Sequence, residues 1–178
     1  MLIKSLKISN LLSYGADSST VELGQLNILI GPNGSGKSNF LEAISLFQAA
    51  PEQLTRPIRD GGGIQDWLHK SGRTGAAKDA HIEAVIANPK GMKNFRYGLA
   101  FNEIGGRFEV RDEYLENEVP DKGKQQPFFY YRWNDGRPVL NTRAMGQFGE
   151  RKLLRESIKP EQSILSQKRD AVFYPEMT

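Results

Sequence analysis

The chain has 178 residues and a net charge of +3, and its 38% hydrophobic and 25% charged residues are typical of a globular protein with one core. The lack of cysteine excludes a disulfide framework and a thiolate metal site, and the two histidines, His69 and His81, do not have the spacing of a metal pair. No apolar run reaches the roughly 18 residues of a membrane span, so we expect no membrane partner. The lack of cysteine is compatible with a reducing cytoplasm, which is the expected location.

The first part of the chain contains two strand patterns followed by a helix pattern. Residues 2–9 alternate apolar and polar side chains, as a half-buried strand does. Residues 20–30, TVELGQLNILI, become continuously apolar, which predicts a strand fully buried at its end, and YGADSS between the two strands predicts a hairpin. Residues 38–49 place Phe40, Leu41, Ile44 and Phe47 on one helix face, and Pro51 ends this helix.

The rest of the chain is mostly strand-like. The glycine-rich segment up to residue 80 predicts a loop with one helical turn at IQDWL. Four strands then follow, HIEAVIA, FRYGLAF, RFEVRDEYL and PFFYYRW, and NDG predicts a tight turn into a fifth. Residues 148–167 predict a helix interrupted by Pro160. The predicted parts are 1–50, the loop 51–80, an antiparallel β-subdomain over 81–142 and a helical end over 143–178.

The break between the buried strand and the helix has the pattern of a phosphate-binding loop. Residues 31–38, GPNGSGKS, match G-x-x-x-x-G-K-[ST], the P-loop or Walker A motif. Glycines allow the backbone N–H groups of residues 33–38 to point inward, and the following helix directs its positive end to the same place. Lys37 is predicted to reach the β- and γ-phosphates, and Ser38 to bring a hydroxyl to Mg²⁺. A purely structural glycine turn would leave the adjacent Lys-Ser pair unexplained.

Beyond this motif, several blocks resemble a known family. LKISNLLSYG and VELGQLNILIGPNGSGKSNFLEAI resemble the start of the ABC-type ATPase heads of the SMC/RecF-like group, the ATPases of the AAA-domain-21 kind. Two later parts of the chain resemble that group as well, namely RDGGGIQDWLHKSG at 59–72 and SILSQKRD together with the later YPE. The resemblance implies that residues 1–178 form part of a P-loop ATPase head, namely lobe I. Its fold would be α/β, with an N-terminal hairpin, a P-loop strand and helix, and an antiparallel β-meander.

The resemblance also implies the ligands and their residues. The cofactors would be ATP and Mg²⁺, with Lys37 acting in catalysis and Ser38 ligating the metal. Gln167 corresponds to the glutamine that joins Mg²⁺ and the attacking water, although a solvated glutamine at a helix end explains it equally well. Asn33 and Asn39 match positions that flank the phosphates. The predicted nucleotide-binding residues are Gly31, Pro32, Asn33, Gly34, Ser35, Gly36, Lys37, Ser38 and Asn39.

The chain departs from this family in four places. Many relatives have a basic residue in a turn N-F-[RK]-S near the nucleotide, whereas NLLSY has Leu12 there. The signature LSGG[QE], the Walker B run ending in Asp-Glu and the switch histidine are missing in working form. DGGGIQ at 60–65 lacks the Leu-Ser entry, and YGLAFNE offers no aspartate for Mg²⁺. We therefore expect the N-terminal half of a head, whose second half lies on another polypeptide or was lost by truncation.

Two classes of function remain open from the sequence. The first is an ATPase that converts ATP to ADP and phosphate when the missing motifs are supplied by a complementary half-head or an ATP-dependent head-to-head dimer. The second is a non-hydrolysing module in which ATP gates association with a partner chain or DNA; basic residues gather between 141 and 170. A small-molecule P-loop kinase is disfavoured by the β-meander, and a GTPase by the lack of a base-reading motif.

Overall fold

The computed structural model describes residues 3–17, 20–71, 75–76, 79–89, 91, 93–134, 137–144, 147–152 and 158–167. The elements in chain order are β1 (Ile3–Ser9), β2 (Val21–Glu22), α1 (Lys37–Ala49), α2 (Thr55–Asp60), α3 (Ile64–Trp67), β3 (Lys70–Ser71), β4 (Gly75–Ala76), β5 (Ala80–Ile86), β6 (Phe95–Ile104), β7 (Arg107–Asn117), β8 (Phe129–Asn134), β9 (Arg137–Ala144), β10 (Gln147–Lys152) and α4 (Ile164–Gln167). None of the helices among these residues is long and apolar enough to cross a membrane.

Eight strands form one antiparallel sheet in the order β10-β9-β8-β7-β6-β5-β1-β2, and β3 and β4 form a separate pair. Strands β5 to β10 follow one another along both chain and sheet, which confirms the predicted meander. The hairpin predicted at the N-terminus is also present, because β1 pairs with β2 through Ser5 opposite Glu22 and Leu6 opposite Val21. The NDG turn is closed by β8 and β9, with Asn134 opposite Arg137.

The core lies between one face of the sheet and the helices. Leu6, Ile82 and Leu99 are each fully buried on this face, and α1 packs Ala43 and Leu46 against it. The predicted helix face is partly wrong, because Leu41 is 59% exposed while Ala43 and Leu46 are buried. The other sheet face is polar. Its residues meet in cross-strand register, as in the row Lys7, Glu83, Gly98 and Tyr114.

The predicted buried strand before the P-loop is the main correction. Only Val21–Glu22 is strand, and Leu26, Ile28 and Ile30 are 81%, 74% and 89% exposed. Beyond the strand, the Asn27 side-chain oxygen accepts a hydrogen bond from the backbone N–H of Gly24, and its amide nitrogen donates one to the Gly24 carbonyl, which closes a local bend. An apolar run predicts burial only if another strand covers it, and in the described part of the chain β2 is the edge of the sheet.

Two further predictions of secondary structure need correction. Residues 147–152 are strand β10 rather than helix, because they pair with β9 from Gln147 opposite Ala144 to Lys152 opposite Val139. Within the predicted loop 51–80, the expected turn at IQDWL is α3, but α2 was missed because Pro57 lies inside it. The resembling residues KRD and YPE, at 168–178, lie outside the described residues, as do several positions of the predicted helical end.

Candidate nucleotide-binding site

The glycine loop is a tight turn that leads directly into α1. The backbone N–H of Ser35 donates to the Pro32 carbonyl over 3.3 Å, and a Cβ on Gly31 would lie 2.7 Å from the Ser35 hydroxyl oxygen. Gly34 and Gly36 have φ angles of 82° and 90°, in the left-handed region that favours glycine. Glycine is therefore favoured at Gly34 and Gly36 by conformation, and a side chain at Gly31 would displace the Ser35 hydroxyl.

Lys37 folds back into the loop instead of pointing to solvent. Its ammonium donates to the carbonyl oxygens of Gly31 and Pro32, each at 2.7 Å, and to the Ser35 hydroxyl at 3.3 Å. A positive charge is thus held at the mouth of the loop by neutral acceptors. Phosphate oxygens are stronger acceptors for an ammonium group than carbonyls are, so the arrangement favours exchange of these contacts for contacts to an anion.

The start of α1 has the features of an anion-binding helix terminus. Gly36 is the N-cap residue, and the structure, which describes this helix completely, shows no side-chain cap and no acidic side chain in its first turn. The first backbone N–H groups of a 13-residue helix are then left for a ligand, and its dipole favours negative charge there. Ser38 is exposed at the second position of the helix, where its hydroxyl is accessible.

The loop opens into a cavity of about 330 Å³. One side is formed by the loop and the start of α1, including Gly31, Gly36 and Lys37, and the other by Tyr14, Val21 and residues 29–30. The Tyr14 hydroxyl donates to the Gly36 carbonyl at 3.3 Å, and burial raises the pKa of Tyr14. Tyr14 and Val21 lie outside the motif, and the motif alone does not indicate that they line its cavity, although Tyr14 belongs to the segment NLLSY.

The turn in which Leu12 replaces a basic residue is fixed by α3. The Leu12 backbone N–H donates to the Trp67 carbonyl at 2.7 Å, and the His69 backbone N–H donates to the Asn10 carbonyl at 3.0 Å. Leu12 has a φ of 52° and packs its side chain against the core. The turn therefore faces the loop through Tyr14, and Leu12 has a structural role.

The structure does not bring Gln167 to the P-loop. Its side-chain carbonyl accepts from the Lys159 backbone N–H at 2.8 Å, and its amide donates to the carbonyls of Gln162 at 3.0 Å and Lys159 at 3.2 Å. These contacts all lie within its own turn, in line with the structural explanation of this residue. Its role as a metal ligand remains a prediction, as do the contacts of Asn33 and Asn39 with phosphates.

A family model matches residues 26–170, which include the loop, α1 and the whole meander. The family is AAA_21, described as "AAA domain, putative AbiEii toxin, Type IV TA system". The chain belongs to this family. The predicted AAA-domain-21 membership is thereby confirmed.

Two similar proteins connect this family member to the SMC/RecF group. DNA replication and repair protein RecF of Exiguobacterium sp. (strain ATCC BAA-1283 / AT1b) is 33% identical over 103 residues, covering 52% of this chain. The match spans only 25% of that RecF, so the chain corresponds to a quarter of its length. A solved chain from work on the structural biochemistry of ATP-driven dimerization and DNA-stimulated activation of SMC ATPases superposes with a TM-score of 0.51 at 22% identity, covering 67% of this chain and 73% of that one. The P-loop NTPase fold of an ABC-type, SMC/RecF-like ATPase region is therefore confirmed.

Proposed function

We propose that the chain binds ATP with Mg²⁺ at residues 31–39 and forms one half of an ATPase site. The observation that supports this most strongly is the Lys37 ammonium, which lies 2.7 Å from two loop carbonyls beside an uncapped helix N-terminus. Phosphate oxygens arriving at the loop would take over these hydrogen bonds. The backbone N–H groups of the loop and the first turn of α1 would hold the remaining phosphate oxygens.

The described residues fit a magnesium site that is completed by the nucleotide. They contain no group of three or more His, Cys, Asp or Glu side chains able to hold a metal ion without the nucleotide. Mg²⁺ commonly uses few protein ligands and takes the rest from phosphates and water, and the accessible Ser38 hydroxyl suits such a site. When bound, Mg²⁺ would neutralise part of the phosphate charge, while Lys37 stabilises the charge that develops between the β- and γ-phosphates.

Hydrolysis in this proposal needs groups from outside residues 1–178. Attack of water on the γ-phosphorus breaks its bond to the bridging oxygen and releases ADP and phosphate, and a carboxylate must orient that water. The Walker B and signature motifs that would supply such groups are missing from this sequence. We infer that a complementary half-head supplies them, on another polypeptide or in a longer form of this one.

An exposed apolar surface beside the loop supports a complementary half. Leu26, Ile28 and Ile30 are exposed, and Leu29 of the same segment lines a cavity of about 430 Å³ together with Leu41 and Ile44 of α1. Exposed apolar side chains clustered in this way mark an interaction site in soluble proteins. A complementary half that covers this surface would bury the apolar run 26–30, as its sequence pattern predicts, although the described residues leave the run uncovered.

Calorimetric titration with Mg²⁺-ATP tests nucleotide binding. Lys37→Ala should abolish the binding heat, while Lys70→Ala, which removes an exposed lysine paired with Asp66 on another element, should leave it unchanged. An unchanged ATP affinity in Lys37→Ala would overturn the proposed site. The circular dichroism spectrum of each variant controls for folding.

The ATPase rate of the purified chain tests the half-site. We expect a negligible rate, because the water-orienting carboxylate is missing, and a robust rate from the chain alone would contradict this part of the proposal. Sedimentation of the chain with and without Mg²⁺-ATP tests the dimer, and Ile28→Ser should weaken any ATP-dependent association by removing apolar contact area.

The alternative proposal is an ATP-gated binding module without turnover, and DNA is its most specific candidate ligand. RecF is named for DNA replication and repair, and the solved SMC neighbour for DNA-stimulated activation. Retention of duplex DNA that falls steeply with salt would support a surface that contacts the phosphate backbone. Absence of retention at low salt would remove DNA from the proposal.

A further inference from the structure

The meander buries one carboxylate that the proposed ATP site does not use. Glu113 on β7 is 1% exposed and faces the core, although neighbouring carboxylates lie on the outer face. A bulge in β7 explains this orientation: Asp112 pairs with Ala100 and Val110 with Phe101, so Arg111 is an extra residue. The alternation of buried residues shifts by one at the bulge, and Glu113 turns inward as a result.

Three hydrogen bonds satisfy the buried carboxylate, and two of them come from one distant segment. The Tyr97 hydroxyl on β6 donates to it at 2.7 Å, and the Ile164 backbone N–H donates at 2.9 Å. The Ser163 hydroxyl also donates to Glu113, and it accepts in turn from the Leu165 backbone N–H at 3.0 Å. Glu113 thus satisfies the first backbone donor of α4, as a helix-capping residue would, but from another part of the chain.

The Glu113 carboxyl group contributes polar contacts to the segment 158–167, in which the described part of α4 is Ile164–Gln167. Among the described residues, Ile158 and Ile164 are also buried in this segment, and the Val110 N–H donates to the Pro160 carbonyl at 2.7 Å. Ser163 is fully buried, so water cannot replace the carboxylate there.

The same network reaches the helix that follows the P-loop. The ring of Tyr97 packs edge-on against Phe47 of α1, with ring centroids 5.7 Å apart. Tyr97 therefore contacts α1 with its ring and Glu113 with its hydroxyl. The contacts of Glu113 therefore connect the described part of α4 to α1 through Tyr97.

We propose that Glu113 anchors the segment 158–167, which includes α4, to the meander beside the P-loop helix α1. The anchoring of residues 158–167 by this carboxyl group goes beyond the proposed function and is independent of nucleotide binding.

Amide hydrogen exchange tests the anchoring. In Glu113→Gln and in the milder Ser163→Ala, exchange of residues 158–167 should rise at least about tenfold, while β6 is unchanged, because loss of a buried hydrogen bond between Glu113 and this segment releases the segment locally. Tyr130→Phe is the matched control, since it removes a hydroxyl that bonds Asn117 in the same meander. Wild-type exchange in both variants, or a rise spread evenly over the chain, would overturn the anchoring.

Discussion

Replacing the buried Glu113 by glutamine should change how the stability of the fold depends on pH. Burial raises the pKa of Glu113 from its ordinary 4.5 to about 7, against the opposing hydrogen bonds from Ser163, Ile164 and Tyr97. A raised pKa means that the folded protein holds this proton more tightly than the unfolded chain does. The stability that Glu113 contributes is therefore complete below pH 4.5 and is lost as the pH rises through about 7.

The size of this effect follows from the same two values. At about 1.4 kcal/mol per pKa unit, the difference between 4.5 and about 7 corresponds to roughly 3 kcal/mol. Glutamine has nearly the same shape but does not titrate in this range. The free energy of unfolding of the wild type, minus that of Glu113→Gln, should thus fall by roughly 3 kcal/mol between the acidic and the alkaline limit.

Urea unfolding at a series of pH values measures this difference. The other groups near the carboxylate, Tyr97, Tyr131 and Asp112, are present in both proteins and cancel to first order. Burial lowers the pKa of His81, so the stability that His81 contributes is lost as the pH falls. His81 is present in both proteins, and its contribution to the difference cancels as well. A difference in the free energy of unfolding that is independent of pH, or one that grows with pH, would refute the claim that burial raises the pKa of Glu113.

The remaining predictions concern the loop and the helix behind it. Gly36→Ala should cost about 1–2 kcal/mol of stability and weaken ATP binding at least about tenfold, because φ is 90° and the new Cβ would lie 2.8 Å from the Ser13 hydroxyl oxygen. Urea unfolding measures the loss of stability, and calorimetry measures the loss of ATP affinity. Gly24→Ala, whose Cβ would meet atoms no closer than 3.7 Å, is the control and should change stability by less than about 0.5 kcal/mol. Leu46→Ala should lower the free energy of unfolding by about 2–5 kcal/mol, since this side chain is fully buried. Leu41→Ala, at a 59% exposed position of the same helix, should cost less than about 0.5 kcal/mol in the isolated chain, and equal costs would contradict the observed helix face.

The sequence predicted the elements whose signal is local. Alternating residues in HIEAVIA and RFEVRDEYL indicate strands regardless of their partners, and the glycines of GPNGSGKS require a turn before a helix. The order of the meander also follows, because short turns join antiparallel neighbours. These features were confirmed by β5 to β9 and by the loop before α1.

The features that the sequence did not predict depend on residues that are distant in the chain. The run 26–30 is apolar enough for a buried strand, but its burial requires a covering partner that composition does not reveal. Glu113 looks like a solvated strand residue, and only the bulge at Arg111 turns it toward Ser163. The Tyr14 hydroxyl bonds the Gly36 carbonyl, a contact that the motif itself does not predict.

The affinities of ATP, ADP and AMP for the wild-type chain in the presence of Mg²⁺ test the central claim most directly. If the loop and Lys37 bind the β- and γ-phosphates, ATP and ADP should bind and AMP should bind at least about tenfold more weakly, since it lacks both groups. Equal affinities for the three nucleotides, or no binding of any of them, would contradict the assignment of residues 31–39 as an ATP site.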